Sequence, residues 1–318
     1  MNNLIKQFEA RLTAAGSGNA KRAVEELVAH VMGCKPLEIY FKTITPEQRA
    51  ELEKLIVRAE QGEPIQYIIG YVDFRGLEIR CDRRALIPRP ETEQLVEQVL
   101  HAVQESGIRS QRAEKVEAAS CRWAQRQDAA STLKIADVGT GTGCIALSLL
   151  HELPNAEVIA IDISPDALAL ARENAKRLGL SDRFHCLESD LLGAFMVDEA
   201  SSLVAQRQDA ASTLMEQFDI VVSNPPYILS DVCKMLDTSV RDFEPKLALD
   251  GGADGLDLIR TLIKQAARVL KPGGGLFIEI GYDQGLAVSE LLEKHGFQRV
   301  AVKKDLAGLD RIVVGVRL

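Results

Sequence analysis

The sequence predicts an α/β fold: a mostly parallel sheet with helices on both faces, a helical bundle before it and an antiparallel strand pair at its end. Three observations carry this. From residue 134, strand-length apolar runs alternate with amphipathic helix-length stretches, the pattern of a parallel sheet. The last two runs, Gln298–Lys303 and Arg311–Arg317, are joined by a short turn containing Gly308, too short for a parallel crossover. The first ~75 residues show only the i, i+3, i+4 spacing of helices.

In order along the chain, Leu4, Ile5, Phe8 and Leu12 share one helical face, and Ala23, Val24, Leu27, Val28, Val31 and Met32 another. A third helix has a clear start: Thr45 as cap, Pro46 in the first turn, Gln48 as capping-box partner and Ile44 as hydrophobic staple. Gly62 and Pro64 end it. Nothing in residues 1–75 looks chemical, so this segment is expected to recognise a partner. Ile65–Ile69 and Leu77–Ile79 read as strands of a hairpin, with residues 76–90 linking to the second domain, 91–318. There Leu95, Val96, Val99, Leu100 and Val103 mark an amphipathic helix behind the proline-locked Ile87–Glu93. Strands are expected at Lys134–Val138, Glu157–Ile161, Arg183–Glu188, Phe218–Ser223 and Gly275–Ile280, and helices near 144–152, 165–178, 256–270 and 284–295.

The decapeptide Ala-Gln-Arg-Gln-Asp-Ala-Ala-Ser-Thr-Leu occurs at 124–133 and again at 205–214, within inserts near 105–133 and 196–216. Two distant copies do not make a solenoid. Each precedes a parallel strand, placing it at the amino edge of the sheet, whereas α/β active sites form at the carboxyl edge. The expectation is therefore passive insertion into surface loops.

Composition narrows the classes. The 318 residues are 46% hydrophobic and 26% charged, with 38 basic against 46 acidic residues and a net charge of −8. That is ordinary globular composition and a poor match to a duplex-DNA binder, which gains affinity by neutralising phosphates. No apolar run reaches the ~18 residues of a membrane span. The amino-terminal residues lack the layout of a signal peptide. Cys34, Cys81, Cys121, Cys144, Cys186 and Cys233 are scattered, which predicts reduced thiols in the cytoplasm and no metal site.

The chemistry-bearing motifs lie at predicted carboxyl ends of strands. Asp137-Val138-Gly139-Thr140-Gly141-Thr142-Gly143 follows the first sheet strand and opens a helix. It is neither the dinucleotide Gly-x-Gly-x-x-Gly nor a P-loop, so a smaller nucleoside ligand suits it better. Asp162 ends the second strand, where a carboxylate can accept both ribose hydroxyls, and Ser164-Pro165 already supplies the cap of the next helix. Asp190 ends the third, where an adenine edge would lie. Ser223-Asn224-Pro225-Pro226-Tyr227 follows the fourth. The Asn224 side-chain oxygen and the Pro225 carbonyl together suit a planar NH2 group with two donors, and Tyr227 offers a face for stacking.

These motifs resemble class I S-adenosylmethionine-dependent methyltransferases that act on a planar nitrogen. The terminal antiparallel pair resembles their seven-stranded, Rossmann-like sheet. Gly62–Gly70, Ile87–Glu93, Phe243-Glu244-Pro245, Ala248–Leu256 and Asp305–Arg311 narrow the resemblance to the PrmC/HemK family over nearly the whole chain, the inserts excepted. The resemblance implies S-adenosylmethionine as cofactor and S-adenosylhomocysteine as product. It also implies class 1 peptide release factors as partner, methylated on the side-chain amide nitrogen of the glutamine in their Gly-Gly-Gln motif. It implies Asn224, Pro225 and Tyr227 as catalytic residues. Gly139, Thr140, Gly141, Thr142, Gly143, Asp162, Asp190, Leu191 and Asn224 would contact the cofactor, and Asn224, Pro225, Pro226, Tyr227, Arg89 and Glu91 the substrate, with a helix-cap or ion-pair role equally open for Arg89 and Glu91. Some relatives carry an aromatic residue where this chain has Leu191. The competing readings are a ribosomal-protein glutamine methyltransferase, an adenine-N6 DNA methyltransferase, which would need a basic groove and base flipping, and a non-catalytic binding module. No nucleic-acid substrate and no membrane association are expected.

Overall fold

The computed structural model describes residues 1–105, 132–196 and 218–318. The second decapeptide, the first apart from its last residues 132 and 133, and Cys121 lie outside the described residues. The chain begins with helices α1 (Asn2–Ala14), α2 (Ala20–Met32) and α3 (Pro46–Glu60). Ile5, Phe8 and Leu12 meet Val24, Leu27, Val28, Leu52 and Ile56 in one apolar core. These are the faces that helical spacing selects. The capping box forms: Gln48 N donates to Thr45 Oγ1 at 3.2 Å, and Thr45 N donates to Gln48 Oε1 at 3.0 Å.

Ile65–Ile69 is not a strand. It is a short helix, α4, started by Pro64, whose carbonyl accepts from Tyr67 N and Ile68 N, and ended by Gly70 at φ 87°. The reason is burial on two sides. Ile65, Ile68 and Ile69 share i, i+3, i+4 spacing and pack on the bundle core, while Tyr67 turns to Cys81 and Ile87. The hairpin instead pairs β1 (Tyr71–Phe74) with β2 (Leu77–Arg80), so it begins before residue 76. Helix α5 (Pro90–Glu105) follows.

The second region alternates as expected: β3 (Leu133–Val138), α6 (Cys144–Glu152), β4 (Ala156–Asp162), α7 (Pro165–Arg177), β5 (Phe184–Glu188) and β6 (Phe218–Ser223). After two single-turn helices, α8 (Ser230–Cys233) and α9 (Thr238–Arg241), come α10 (Asp257–Val269), β7 (Leu270–Glu279), α11 (Gly285–Lys294), β8 (Phe297–Lys304) and β9 (Asp310–Arg317). The seven-stranded order is β5-β4-β3-β6-β7-β9-β8. Its first five strands are parallel, and β9 runs antiparallel to both of its neighbours. Apolar residues of α5, α6 and α7 form one core with the sheet, and those of α10 and α11 form the other. The chain leaves β3 first towards β4 and returns on the other side as β6. That switch point lies at the carboxyl ends of β3, β4 and β6, where open α/β sheets bind their ligands.

The hairpin is clipped to this region by one buried amide on α7. Asn174 Oδ1 accepts from Arg80 N at 2.9 Å, and its Nδ2 donates to the carbonyls of Arg80 at 3.0 Å and Thr142 at 2.9 Å. Asn174→Leu removes all three bonds and leaves the buried Thr142 carbonyl and the Arg80 backbone without these partners. It should lower the unfolding free energy by about 2–3 kcal/mol, read as a shift of the urea midpoint at constant slope.

Candidate active site

The glycine loop is built against the end of β4. The Gly139 and Thr140 amides donate to the Ile161 carbonyl at 2.8 and 2.9 Å, and Gly143 N donates to the Thr140 carbonyl at 2.8 Å. Gly139, Gly141 and Gly143 all have left-handed φ, at 72°, 55° and 82°. Only glycine adopts such a run without strain. Asp137, fully buried, holds the loop from beneath: Thr140 Oγ1 donates to its Oδ2 at 2.7 Å, and Ala146 N at 3.2 Å. Burial pushes this carboxyl up to about 7, against the opposing bonds from Thr140 and Ala146.

Asp162 closes the loop from the side. Its Oδ2 accepts from Gly141 N and its Oδ1 from Ser164 N, both at 2.9 Å. The cap of α7 is Ser164, whose Oγ accepts from Ala167 N at 3.2 Å, so Asp162 is not needed for that purpose. Burial raises the Asp162 carboxyl, and its backbone donors oppose the rise. Asp190 is exposed and stands two residues past the end of β5. Leu191 follows at a left-handed φ of 48° and packs on the second core.

The Asn224–Tyr227 segment meets this loop because β3 and β6 are adjacent and in register. Val138 pairs with Ser223, and Ser223 Oγ donates to the Val138 carbonyl at 2.7 Å. Pro225 is buried, and Asn224, Pro226 and Tyr227 are half-buried. Asn224 Nδ2 donates to Thr92 Oγ1 at 3.1 Å. Tyr227 Oη reaches Glu279 Oε1 at 3.5 Å, and the Tyr227 carbonyl accepts from Gln284 Nε2 at 3.1 Å. Burial pushes the Tyr227 hydroxyl up to about 12, so it stays a donor. Arg89 pairs with the buried carboxylate of Glu244, which also accepts from Ile87 N, so it fastens the Ile87–Pro90 segment. Glu91 is exposed in the first turn of α5.

Comparison with known proteins finds matches over both regions of the chain. A family model described as the PrmC N-terminal domain matches residues 3–70, and one described as a methyltransferase domain matches residues 129–295. The release factor glutamine methyltransferase of Agrobacterium fabrum is 36% identical over 306 residues, covering 95% of this chain and 92% of the relative. That of Cereibacter sphaeroides is 37% identical over 306 residues, covering 95% and 93%. That of Moorella thermoacetica is 38% identical over 275 residues, covering 86% and 82%.

The chain belongs to the release factor glutamine methyltransferase family. It is a methyltransferase with the seven-stranded sheet of that class and an amino-terminal PrmC helical domain. Among the described residues, no helix is long and apolar enough to cross a membrane.

In this family member, sequence reasoning missed three side chains at the site. Thr92 and Glu279 contact Asn224 and Tyr227 as above, and Gln284 bridges the carbonyls of Tyr227 and Gly255. One signal was available for Glu279: it is an acid inside the apolar run Leu276–Ile280. Thr92 and Gln284 carry no such mark.

Proposed function

We propose that this protein transfers a methyl group from S-adenosylmethionine to the side-chain amide nitrogen of the glutamine in the Gly-Gly-Gln motif of class 1 peptide release factors, in the cytoplasm. The observation that carries the reading is the adjacency of the glycine loop and Asn224–Tyr227 at the carboxyl ends of β3 and β6. The residues present fit the cofactor. Among the described residues, a Cβ on Gly139 would meet nothing nearer than the Asn224 carbonyl at 3.9 Å, and one on Gly141 nothing nearer than Ala85 at 3.8 Å, so there is room for a ligand against the bare backbone. Thr140 and Thr142 complete that loop. Asp162 would take the ribose hydroxyls, Asp190 the adenine edge, and Leu191 would pack on the ring. Asp162→Asn removes the charge and should weaken S-adenosylmethionine binding by roughly 10–100-fold in calorimetry, since bonds to charged groups are the stronger ones.

S-adenosylmethionine supplies a sulfonium-activated methyl group and keeps the electron pair of the broken C–S bond. An amide nitrogen is a weak nucleophile because its lone pair is delocalised into the carbonyl. Asn224 Oδ1 and the Pro225 carbonyl would accept its two hydrogens and hold it in line. Both acceptors also favour the positive charge that develops on nitrogen, whose surplus proton leaves to water after transfer. Pro226 and Tyr227 wall the planar group. The Arg89–Glu244 pair holds the opposite wall, with Glu91 at its rim. Residues 1–75, which hold none of these groups, take recognition of the surrounding protein.

The test offers labelled S-adenosylmethionine together with purified release factor, ribosomal protein and DNA. Label should enter the release factor and be lost when its motif glutamine is replaced. Label entering DNA or the ribosomal protein instead would overturn the reading.

A further inference from the structure

The side-chain oxygen of Asn224 can serve the substrate only if the amide is held the right way round. An unrestrained amide presents its oxygen or its NH2 group, and the NH2 group would oppose the two donors of a glutamine amide. The structure contains a device that removes this choice. Thr92, in the first turn of α5, is 2% exposed, and Glu279, at the end of β7, is 1% exposed. Thr92 Oγ1 donates to Glu279 Oε2 at 2.8 Å and accepts from Asn224 Nδ2 at 3.1 Å. A hydroxyl has one hydrogen. Once the carboxylate takes it, the oxygen can only accept, so the NH2 end of Asn224 must face Thr92. Among the described residues nothing donates to Asn224 Oδ1, which leaves that oxygen for a ligand.

We propose that Thr92 and Glu279 are positioning residues that lock the Asn224 amide with its oxygen towards the substrate nitrogen. This rests on the glutamine methylation proposed above.

The charge on Glu279 sets the direction of the chain. Burial pushes its carboxyl up to about 7. Glu91 of α5 adds to the rise, while Arg311 of β9 and the hydroxyls of Thr92 and Tyr227 oppose it. As a carboxylate, Glu279 accepts from Thr92. As a neutral acid, it can donate to Thr92, which then donates to Asn224 and draws the amide oxygen away from the substrate. Turnover should therefore rise as pH increases through about 7.

The test uses the full chain with release factor, measuring kcat, KM and the S-adenosylmethionine Kd for Thr92→Val, Thr92→Ser and Glu279→Gln. Thr92→Val keeps the shape and removes the hydroxyl. It should lower kcat by about 10–100-fold and leave the S-adenosylmethionine Kd within about twofold, because a misplaced group costs rate more than remote binding. Thr92→Ser should recover most of the loss. The wild-type kcat should show a rising limb near pH 7 that Glu279→Gln abolishes. A Thr92→Val kcat within threefold of wild type would overturn the assignment, as would a Thr92→Ser loss equal to that of Thr92→Val, which would mark packing as the role. If Thr92→Val fails to fold, Thr92→Ser activity and the two pH profiles still decide. No label transfer by the wild-type enzyme would instead sink glutamine methylation itself, which keeps the two failures apart.

Discussion

Replacing Asn224 with alanine is expected to cut kcat on the release factor by about 10²–10³-fold, the scale of losing one preorganised polar contact to a transition state. The amide nitrogen gains charge only as the methyl group arrives. An acceptor aimed at its hydrogens therefore contributes more at the transition state than to ground-state binding, and the loss should fall on kcat more than on KM. S-adenosylmethionine should still bind within a few-fold of wild type. The loop that would hold it is built from Gly139–Gly143, Asp137 and Asp162 through bonds that do not pass through the Asn224 side chain. Single-turnover label transfer and calorimetric titration separate the two quantities. A near-normal kcat would refute the role given to Asn224.

Gly255→Ala is the second large effect, and it comes from a segment that carries no chemistry. Residues Ala248–Leu256 pass beneath Asn224–Tyr227. Ile228 N donates to the Leu249 carbonyl at 3.0 Å, and Gly251 N donates to the Ile228 carbonyl at 2.8 Å. Gly255 has a φ of 74°, and a Cβ there would lie 2.4 Å from the Tyr227 carbonyl oxygen and 2.7 Å from Gln284 Nε2. Neither neighbour is free to yield, because Gln284 bonds the carbonyls of both Tyr227 and Gly255. The left-handed conformation costs about 1–2 kcal/mol and the overpacking about 1–3 kcal/mol. The urea midpoint should fall to match a loss of roughly 2–5 kcal/mol by those two causes. Because relief requires the Tyr227 backbone to move, kcat should fall with it. Gly179→Ala is the control. Its φ is 69° and, among the described residues, nothing lies within 4 Å of a Cβ there, so only the conformational cost of about 1–2 kcal/mol applies.

The comparison of these two glycines shows what is legible in a sequence. Gly179 follows α7 between Leu178 and Leu180, and Gly255 stands between Asp254 and Leu256, and neither local pattern tells what approaches a Cβ there. They differ in what approaches from elsewhere: Tyr227 and Gln284 for Gly255, open space for Gly179. The same limit applies to Ile65–Ile69. Its apolar residues fit a short strand or a helix, and packing of Ile65, Ile68 and Ile69 on the bundle decided for the helix. Arg89 shows it again: a cation in a proline-rich segment became the partner of Glu244, 155 residues away.

By itself the sequence determined the alternation of strands and helices, the antiparallel closure by β9, and the presence of the glycine loop and Asn224–Tyr227 at strand ends. Those features rest on periodicity, turn length and residue type, all local properties of the chain. Tertiary structure alone decided how the reacting amide is held. Thr92 lies 132 residues from Asn224, and Glu279 lies 187 residues from Thr92. The sheet order brings β6 between β3 and β7, and α5 packs across that sheet, so three distant polar groups share one hydrogen-bonded line. A buried hydrogen bond is directional and short-ranged, and no pattern of neighbours along the chain encodes which distant group will complete it.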